Sequence, residues 1–83
     1  MHVTFQPLGE VAWNEVQRFM VRRLAEPIQA EPSLMLALRR AGVIPDATVR
    51  AHRAAEGIMV GSVGEYVEVP TDMAMHIMVE TND

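Results

Sequence analysis

The second half of the chain is interrupted at short intervals by turn-forming residues, which limits every regular element there to a few residues. The breaks are Pro45-Asp46, Glu56-Gly57, Gly61 and Gly64 around Ser62-Val63, and Pro70-Thr71-Asp72. Proline presets one backbone torsion and glycine tolerates torsions that other residues avoid, so both favour tight turns. Between the breaks lie strand-like apolar runs at residues 48–52, 58–60, 66–69 and 77–79. Short strands joined by tight turns predict a small antiparallel β structure.

The N-terminal segment gives a weaker pattern. Residues 3–5 are β-prone and precede a break, so they form either a first strand or a docked leader. The backbone of residues 11–15 cannot be assigned from the pattern. Trp13 and Tyr66 could line a groove, but we expect them to be large fillers of the core, because few aromatic residues are available to fill it. We expect Val16 to face inward as well.

Residues 18–24 form a second strand candidate in the first half. Strict alternation places Phe19, Val21 and Arg23 on one face, although the alternation is imperfect and a helix stays possible for this window. Pro27 then ends the run, because it has no N–H group for a continuing ladder.

Residues 31–41 carry the signals of a helix. Pro32 suits the first helical position, and Gly42 suits the left-handed residue that ends many helices. An apolar stripe recurs at the helical spacing i, i+4 and i+7, made by Leu34, Leu38 and Ala41.

Together these segments predict a mainly β domain with one short helix, arranged as a small, partly open barrel of about five strands. The 83 residues form a single domain, residues 1–83. We expect a leader and first strand over residues 1–20 and a frayed tail at residues 81–83. The chain has no cysteine, which excludes disulfides, thiolate metal sites and cysteine nucleophiles and agrees with a reducing cytoplasm.

The charge balance argues against autonomous binding to nucleic acid. The formal net charge is −4, and the paired arginines Arg22-Arg23 and Arg39-Arg40 are interleaved with acids. No apolar run approaches the roughly 18 residues that span a bilayer. Residues 1–4 lack the basic start and long apolar stretch of a signal peptide. We therefore expect a cytoplasmic protein with no membrane partner.

No catalytic constellation is present in the sequence. Ser33 and Ser62 lie in no nucleophile motif, and His2, His52 and His76 are not at metal-ligand spacing. There is no glycine-rich phosphate loop between a strand and a long helix. The sequence therefore predicts a binding module and not an enzyme.

Glu26 and Gln29 form the one candidate ligand pair. They lie three residues apart, and both carry side-chain oxygens, which suit hard or borderline divalent cations. Two ligands cannot hold a metal alone, so a partner surface would have to supply the rest. A Glu and a Gln near a turn are also ordinary solvated residues.

The stretch around this pair resembles the third, C-terminal domain of iron-dependent transcriptional repressors of the diphtheria-toxin-repressor type. The similarity begins in Val21-Arg22-Arg23-Leu24-Ala25-Glu26-Pro27-Ile28-Gln29-Ala30. It continues through Leu34, Leu38 and Ala41-Gly42-Val43-Ile44-Pro45-Asp46-Ala47-Thr48-Val49. It ends in Val69-Pro70 and Met73-Ala74-Met75-His76-Ile77-Met78-Val79. It covers residues 21–80, and the earlier residues fit the same domain loosely.

The resemblance implies an SH3-like fold and a regulatory role in a metal-dependent, DNA-binding, dimeric repressor. It implies that Glu26 and Gln29 are the ligands that this domain contributes to an ancillary site for Fe(II) or another divalent transition metal. Histidines and a glutamate of the preceding domains would complete that site. The implied partners are those domains and the repressor's own proline-rich linker, and DNA is contacted only through the full-length protein.

Two departures and one alternative accompany the resemblance. Pro27 stands between the two ligand positions where a more variable residue is expected, and the loop 53–57 is peculiar to this chain. Stand-alone accessory proteins of ferrous-iron transport share the SH3-like fold and act by protein docking, so fold similarity alone does not decide between the two functions.

Overall fold

Six short strands and four short helices make up the part of the chain that the structure describes. The structure is a computed structural model that describes residues 3–62 and 64–82. The strands are β1 Val3–Pro7, β2 Gln17–Leu24, β3 Thr48–Arg53, β4 Gly57–Ser62, β5 Glu65–Pro70 and β6 Ile77–Asn82. The helices are α1 Leu8–Val11, α2 Glu26–Gln29, α3 Pro32–Arg40 and α4 Thr71–Ala74.

The strands form one antiparallel sheet in the order β1-β6-β2-β3-β4-β5. Within the described residues the two outer strands, β1 and β5, do not pair with each other, so the sheet is not closed. The predicted mainly β, partly open small fold is confirmed. The structure has more strands and helices than the predicted five or so strands and one helix. Residues 3–7 pair as a further strand, and three connections each contain a four-residue helical turn.

The core is made by side chains that point to the inner face of the sheet and by one face of the helices. No polar or charged residue is buried within the described residues. The largest fully buried side chains are Leu8, Ile28, Leu38, Ile58, Ile77, Val21, Val43, Val49, Val60, Val69 and Val79. Burial of this apolar surface is the main favourable term in folding.

A β-bulge overturns the predicted faces of β2. The pairing of β2 with β6 shifts register between Val21 and Arg23. An extra residue in one strand reverses the direction of every side chain that follows it. Arg23 is therefore exposed and Leu24 is buried, the opposite of what strict alternation predicted.

The three large side chains that we expected to face inward are exposed, so that prediction was wrong. Trp13 and Val16 lie in the irregular connection between α1 and β2, with 64% and 59% of their surface accessible. The backbone of Trp13 is fixed by a hydrogen bond from Arg53 N to Trp13 O of 2.6 Å, while its ring projects outward. Tyr66 is 43% exposed because it lies on the outer face of the edge strand β5, where Val69 points inward.

The helix predicted over residues 31–41 is present as α3, with Glu31 as N-cap and Pro32 in the first turn. Its end is a Schellman motif, in which Val43 N donates to Leu38 O and Gly42 N donates to Arg39 O. Gly42 has the positive φ of +79° that this motif requires. At α4, by contrast, the N-cap is Pro70, and no side chain caps the helix.

The C-terminal strand is longer than the sequence suggested. β6 extends to Asn82, and Thr81 pairs with Thr4 of β1, so two of the three residues expected to fray are in the sheet. Asp83, His2 and Val63, for which the sequence predicts a turn, lie outside the described residues. None of the helices in the described part of the chain is long and apolar enough to cross a membrane.

Candidate metal-ligand site

Glu26 and Gln29 are the first and last residues of α2, a single helical turn between β2 and α3. Ala25 N donates to His76 O at 2.9 Å, which holds the start of the turn against the sheet. Ile28, on the opposite side of the turn, is fully buried in the core. These two attachments fix the turn from both sides and leave its outer face to solvent.

The two candidate ligands share that outer face. Residues three apart on a helical turn are neighbours on its surface. Both side chains are exposed. Gln29 Nε2 donates a hydrogen bond of 2.7 Å to Leu24 O. This bond uses the amide nitrogen and leaves Gln29 Oε1, which is an acceptor, without a hydrogen-bond donor among the described residues.

Pro27 is compatible with the turn. It occupies the first turn of α2, where its missing N–H group would have no intrahelical acceptor. Its fixed φ suits the helical conformation, so it stiffens the backbone between Glu26 and Gln29. Pro27 therefore does not disturb the helical turn that places Glu26 and Gln29 on one face.

The chemistry of the donor set decides what the pair could hold. A carboxylate and an amide oxygen suit a divalent cation, but such ions take four to six or more ligands. No group of three or more His, Asp or Glu side chains that could hold a metal occurs in residues 3–62 and 64–82. The surface around the pair is a shallow depression lined by Glu26, Pro27, Gln29 and Ala30, open to an approaching surface. The residues thus fit part of a shared site and cannot form a complete one.

The other polar residues considered from the sequence lie elsewhere. His76 is half-buried, and its carbonyl oxygen accepts the hydrogen bond from Ala25 N. His52 lies on β3, and its Nδ1 atom is buried with no partner among the described residues. Ser62 Oγ donates to Ala41 O at 3.0 Å, so this hydroxyl has a structural contact. The structure brings none of them to Glu26 and Gln29 as a metal cluster within its described part.

Sequence reasoning missed one polar feature, a pair of arginines on the outer face of the sheet. Arg18 of β2 is directly opposite Arg50 of β3, and both line a surface cavity with Tyr66. The sequence holds part of the signal, because both arginines occupy outward-facing positions of their strands. Their juxtaposition depends on the strand register, which no sequence pattern of this chain specifies.

Comparison with known proteins gives no assignment: no protein-family model matches this chain, and no curated protein matches it.

Proposed function

We propose that this chain is a regulatory module of a metal-dependent DNA-binding repressor and that Glu26 and Gln29 are its contribution to a metal site shared with other domains. The metal would be Fe(II) or another divalent transition metal. The module would dock on the preceding domains of the repressor in the cytoplasm, and DNA would be contacted by the full-length dimer.

The observation that carries the proposal is the presentation of the two oxygens. The turn is held by the buried Ile28, stiffened by Pro27, and oriented so that Glu26 and Gln29 face solvent together. The hydrogen bond from Gln29 Nε2 to Leu24 O leaves Gln29 Oε1 without a described protein donor, so this oxygen is available to a ligand. The resemblance of residues 21–80 to the third domain of the repressor family supports the same assignment.

Two ligands are too few to hold a metal, so the pair binds metal only when other domains supply the remaining ligands. This dependence lets the metal act as a switch. A divalent ion bound between domains supplies positive charge that oxygens from both surfaces share. Glu26 and Gln29 lower the free energy of the docked arrangement only when the other ligands are in place. Metal binding then shifts the population toward that arrangement by its differential affinity for it.

The proposal can be tested on the isolated chain by NMR. The labelled protein is titrated with Co(II) or Ni(II), which are air-stable substitutes for Fe(II). We expect weak binding, with a dissociation constant of roughly millimolar, since two ligands are far fewer than a metal site needs. Shift changes and line broadening should centre on residues 25–30 and be lost in both Glu26→Ala and Gln29→Ala.

Glu31→Ala is the matched control. Glu31 is also an exposed glutamate of the same region, and its side chain makes no capping hydrogen bond to α3. Its removal lowers the local negative charge as much as Glu26→Ala does, so a response that depended on charge alone would weaken in both variants. Because Glu31 is not a proposed ligand, we expect Glu31→Ala to leave the metal response unchanged. A response centred on another part of the sheet, or one that survives in both ligand variants, would contradict the assignment.

A further inference from the structure

A row of side chains crosses the outer face of the sheet, and it carries unpaired positive charge. In the register, Arg18 of β2 lies opposite Arg50 of β3, Arg50 opposite Gly61 of β4, and Gly61 opposite Tyr66 of β5. Directly paired residues of antiparallel strands point to the same face. Both guanidinium groups and the Tyr66 ring therefore share one outer surface.

Arg18 and Arg50 are like charges at directly opposed positions, so they repel each other. Directly opposed residues have Cβ atoms about 4.5–5.5 Å apart, and like charges there destabilise a sheet. Within residues 3–62 and 64–82 the salt bridges are made by Arg22, and neither Arg18 nor Arg50 lies within salt-bridge distance of a carboxylate. Among the residues that the structure describes, these two positive charges thus lie side by side without a carboxylate counter-ion.

The arginines line a cavity and not a flat surface. The cavity has a volume of about 330 Å³, and the side chains of Thr48 and Tyr66 also line it. Neither hydroxyl makes a hydrogen bond to another described residue. Gly61 contributes no side chain between Arg50 and Tyr66, and a Cβ atom there would lie 2.8 Å from Tyr66 Cα. The cavity therefore offers two guanidinium groups and two free hydroxyls to one ligand.

We propose that this cavity is a binding site for a phosphate group, either inorganic phosphate or the phosphate monoester of a small molecule. Two guanidinium groups match the charge of about −2 of a phosphate monoester, and their planar N–H pairs fit its oxygens. The hydroxyls of Thr48 and Tyr66 supply further donors. The net charge of the whole chain is −4, which disfavours a long polyanion such as duplex DNA, so the site selects a small phosphate.

The site is tested by NMR titration of the whole chain with inorganic phosphate, ribose 5-phosphate and AMP, each against sodium chloride of equal ionic strength. We expect saturable shifts of the amide and Nε–H signals of Arg18 and Arg50 below ~10 mM phosphate. Because phosphate binds the folded state, it should also raise Tm measurably. The three ligands distinguish the sources, since tighter binding of AMP or ribose 5-phosphate identifies a monoester and equal binding identifies free phosphate.

The variants are Arg18→Gln and Arg50→Gln, with Arg40→Gln as the control. Arg40 is exposed at the end of α3 and does not line the cavity. Each site variant should weaken phosphate binding at least about tenfold, and the control should not change it. Because each site variant also removes the repulsion, it should melt no earlier than the parent protein in chloride, which shows that it folds.

Three results would overturn the proposal. One is the absence of saturable shifts at Arg18 and Arg50 up to ~10 mM of every phosphate ligand. Another is an equal loss of binding in Arg40→Gln, which would show diffuse charge attraction. The last is binding of duplex DNA through these arginines without binding of any small phosphate.

Discussion

Replacing Gly42 with alanine tests how α3 is joined to the sheet. Gly42 ends the helix at a φ of +79°, and a Cβ atom there would collide with Ser62 Oγ of β4. That hydroxyl donates to Ala41 O at 3.0 Å, and Ser62 N donates to the same oxygen at 2.9 Å. A single methyl group therefore strains the backbone and also displaces the hydroxyl that binds the helix end.

The expected loss can be worked out term by term. The left-handed conformation costs alanine about 1–2 kcal/mol, and the stiffer unfolded chain returns about 0.4–1 kcal/mol. Losing the Ser62 hydroxyl bond adds about 0.5–1.5 kcal/mol. Gly42→Ala should then lower the free energy of unfolding by about 2 kcal/mol, a large share of the roughly 4–12 kcal/mol expected for a domain of this size.

Two further variants separate the terms. Gly64→Ala is matched for backbone strain, because Gly64 has a φ of +87° and a Cβ there would meet nothing within 4 Å. It should cost only about 1 kcal/mol. Ser62→Ala should also cost about 1 kcal/mol, since Ser62 N still satisfies Ala41 O. The double variant loses the hydroxyl bond only once, so it should be no less stable than Gly42→Ala.

The free energy of unfolding of the parent protein and of the four variants is measured by urea unfolding, from the midpoint and with the slope checked for constancy. A loss in the double variant equal to the sum of the two single losses would refute the argument, because it would show that Gly42 and Ser62 act independently. Equal losses in Gly42→Ala and Gly64→Ala would refute it as well, since the collision with Ser62 would then contribute nothing.

Three other substitutions follow from the contacts. Ile28→Ala should lower the free energy of unfolding, measured in urea, by about 2–5 kcal/mol and broaden the amide signals of α2, because Ile28 is fully buried. An unchanged urea midpoint would contradict the conclusion that Ile28 holds α2 on the core. Gly61→Ala should abolish the cooperative thermal transition or lower Tm strongly, because a Cβ there would collide with Glu65 O of β5; a Tm like that of the parent would contradict the close approach of β4 and β5. Arg22→Ala should cost less than about 1 kcal/mol, with the difference shrinking in high salt, because its 2.9 Å salt bridge to Asp46 is exposed; a larger, salt-independent loss would refute this.

Local chemistry made much of the fold predictable. Pro32 and Gly42 mark the two ends of α3 because each suits one backbone conformation that those positions require. The breaks predicted at Pro45-Asp46, Glu56-Gly57 and Pro70-Thr71 place the later strands to within a few residues, because each lies at or near a strand end. Gly61, also predicted as a break, lies instead inside β4, where it pairs with Tyr66.

The predictions that were wrong concern features that depend on contacts distant in the sequence. The bulge between Val21 and Arg23 is set by the partner strand β6, more than fifty residues away, so alternation within β2 could not reveal it. Trp13 is exposed because it lies in the connection between α1 and β2, and Tyr66 because it lies on the outer face of an edge strand, whereas size and hydrophobicity alone placed both in the core.

The candidate ligands were likewise predictable only in part from the sequence. The spacing of Glu26 and Gln29 and the chemistry of their oxygens are visible in the sequence. The helical turn that puts both on one face, and the bond from Gln29 Nε2 to Leu24 O, required the structure. The pairing of Arg18 with Arg50 was invisible until the register of β2 and β3 was known.

The central claim is that Glu26 and Gln29 hold part of a shared metal site that controls DNA binding. It is tested most directly in the full-length repressor that the proposal implies, by the anisotropy of a labelled operator measured across a range of Fe(II) or Co(II) concentrations. We predict that Glu26→Ala and Gln29→Ala each raise the metal concentration at half-maximal binding by about tenfold or more, while Glu31→Ala leaves it unchanged. An unchanged midpoint in both ligand variants, or a natural protein without a DNA-binding domain, would contradict the claim.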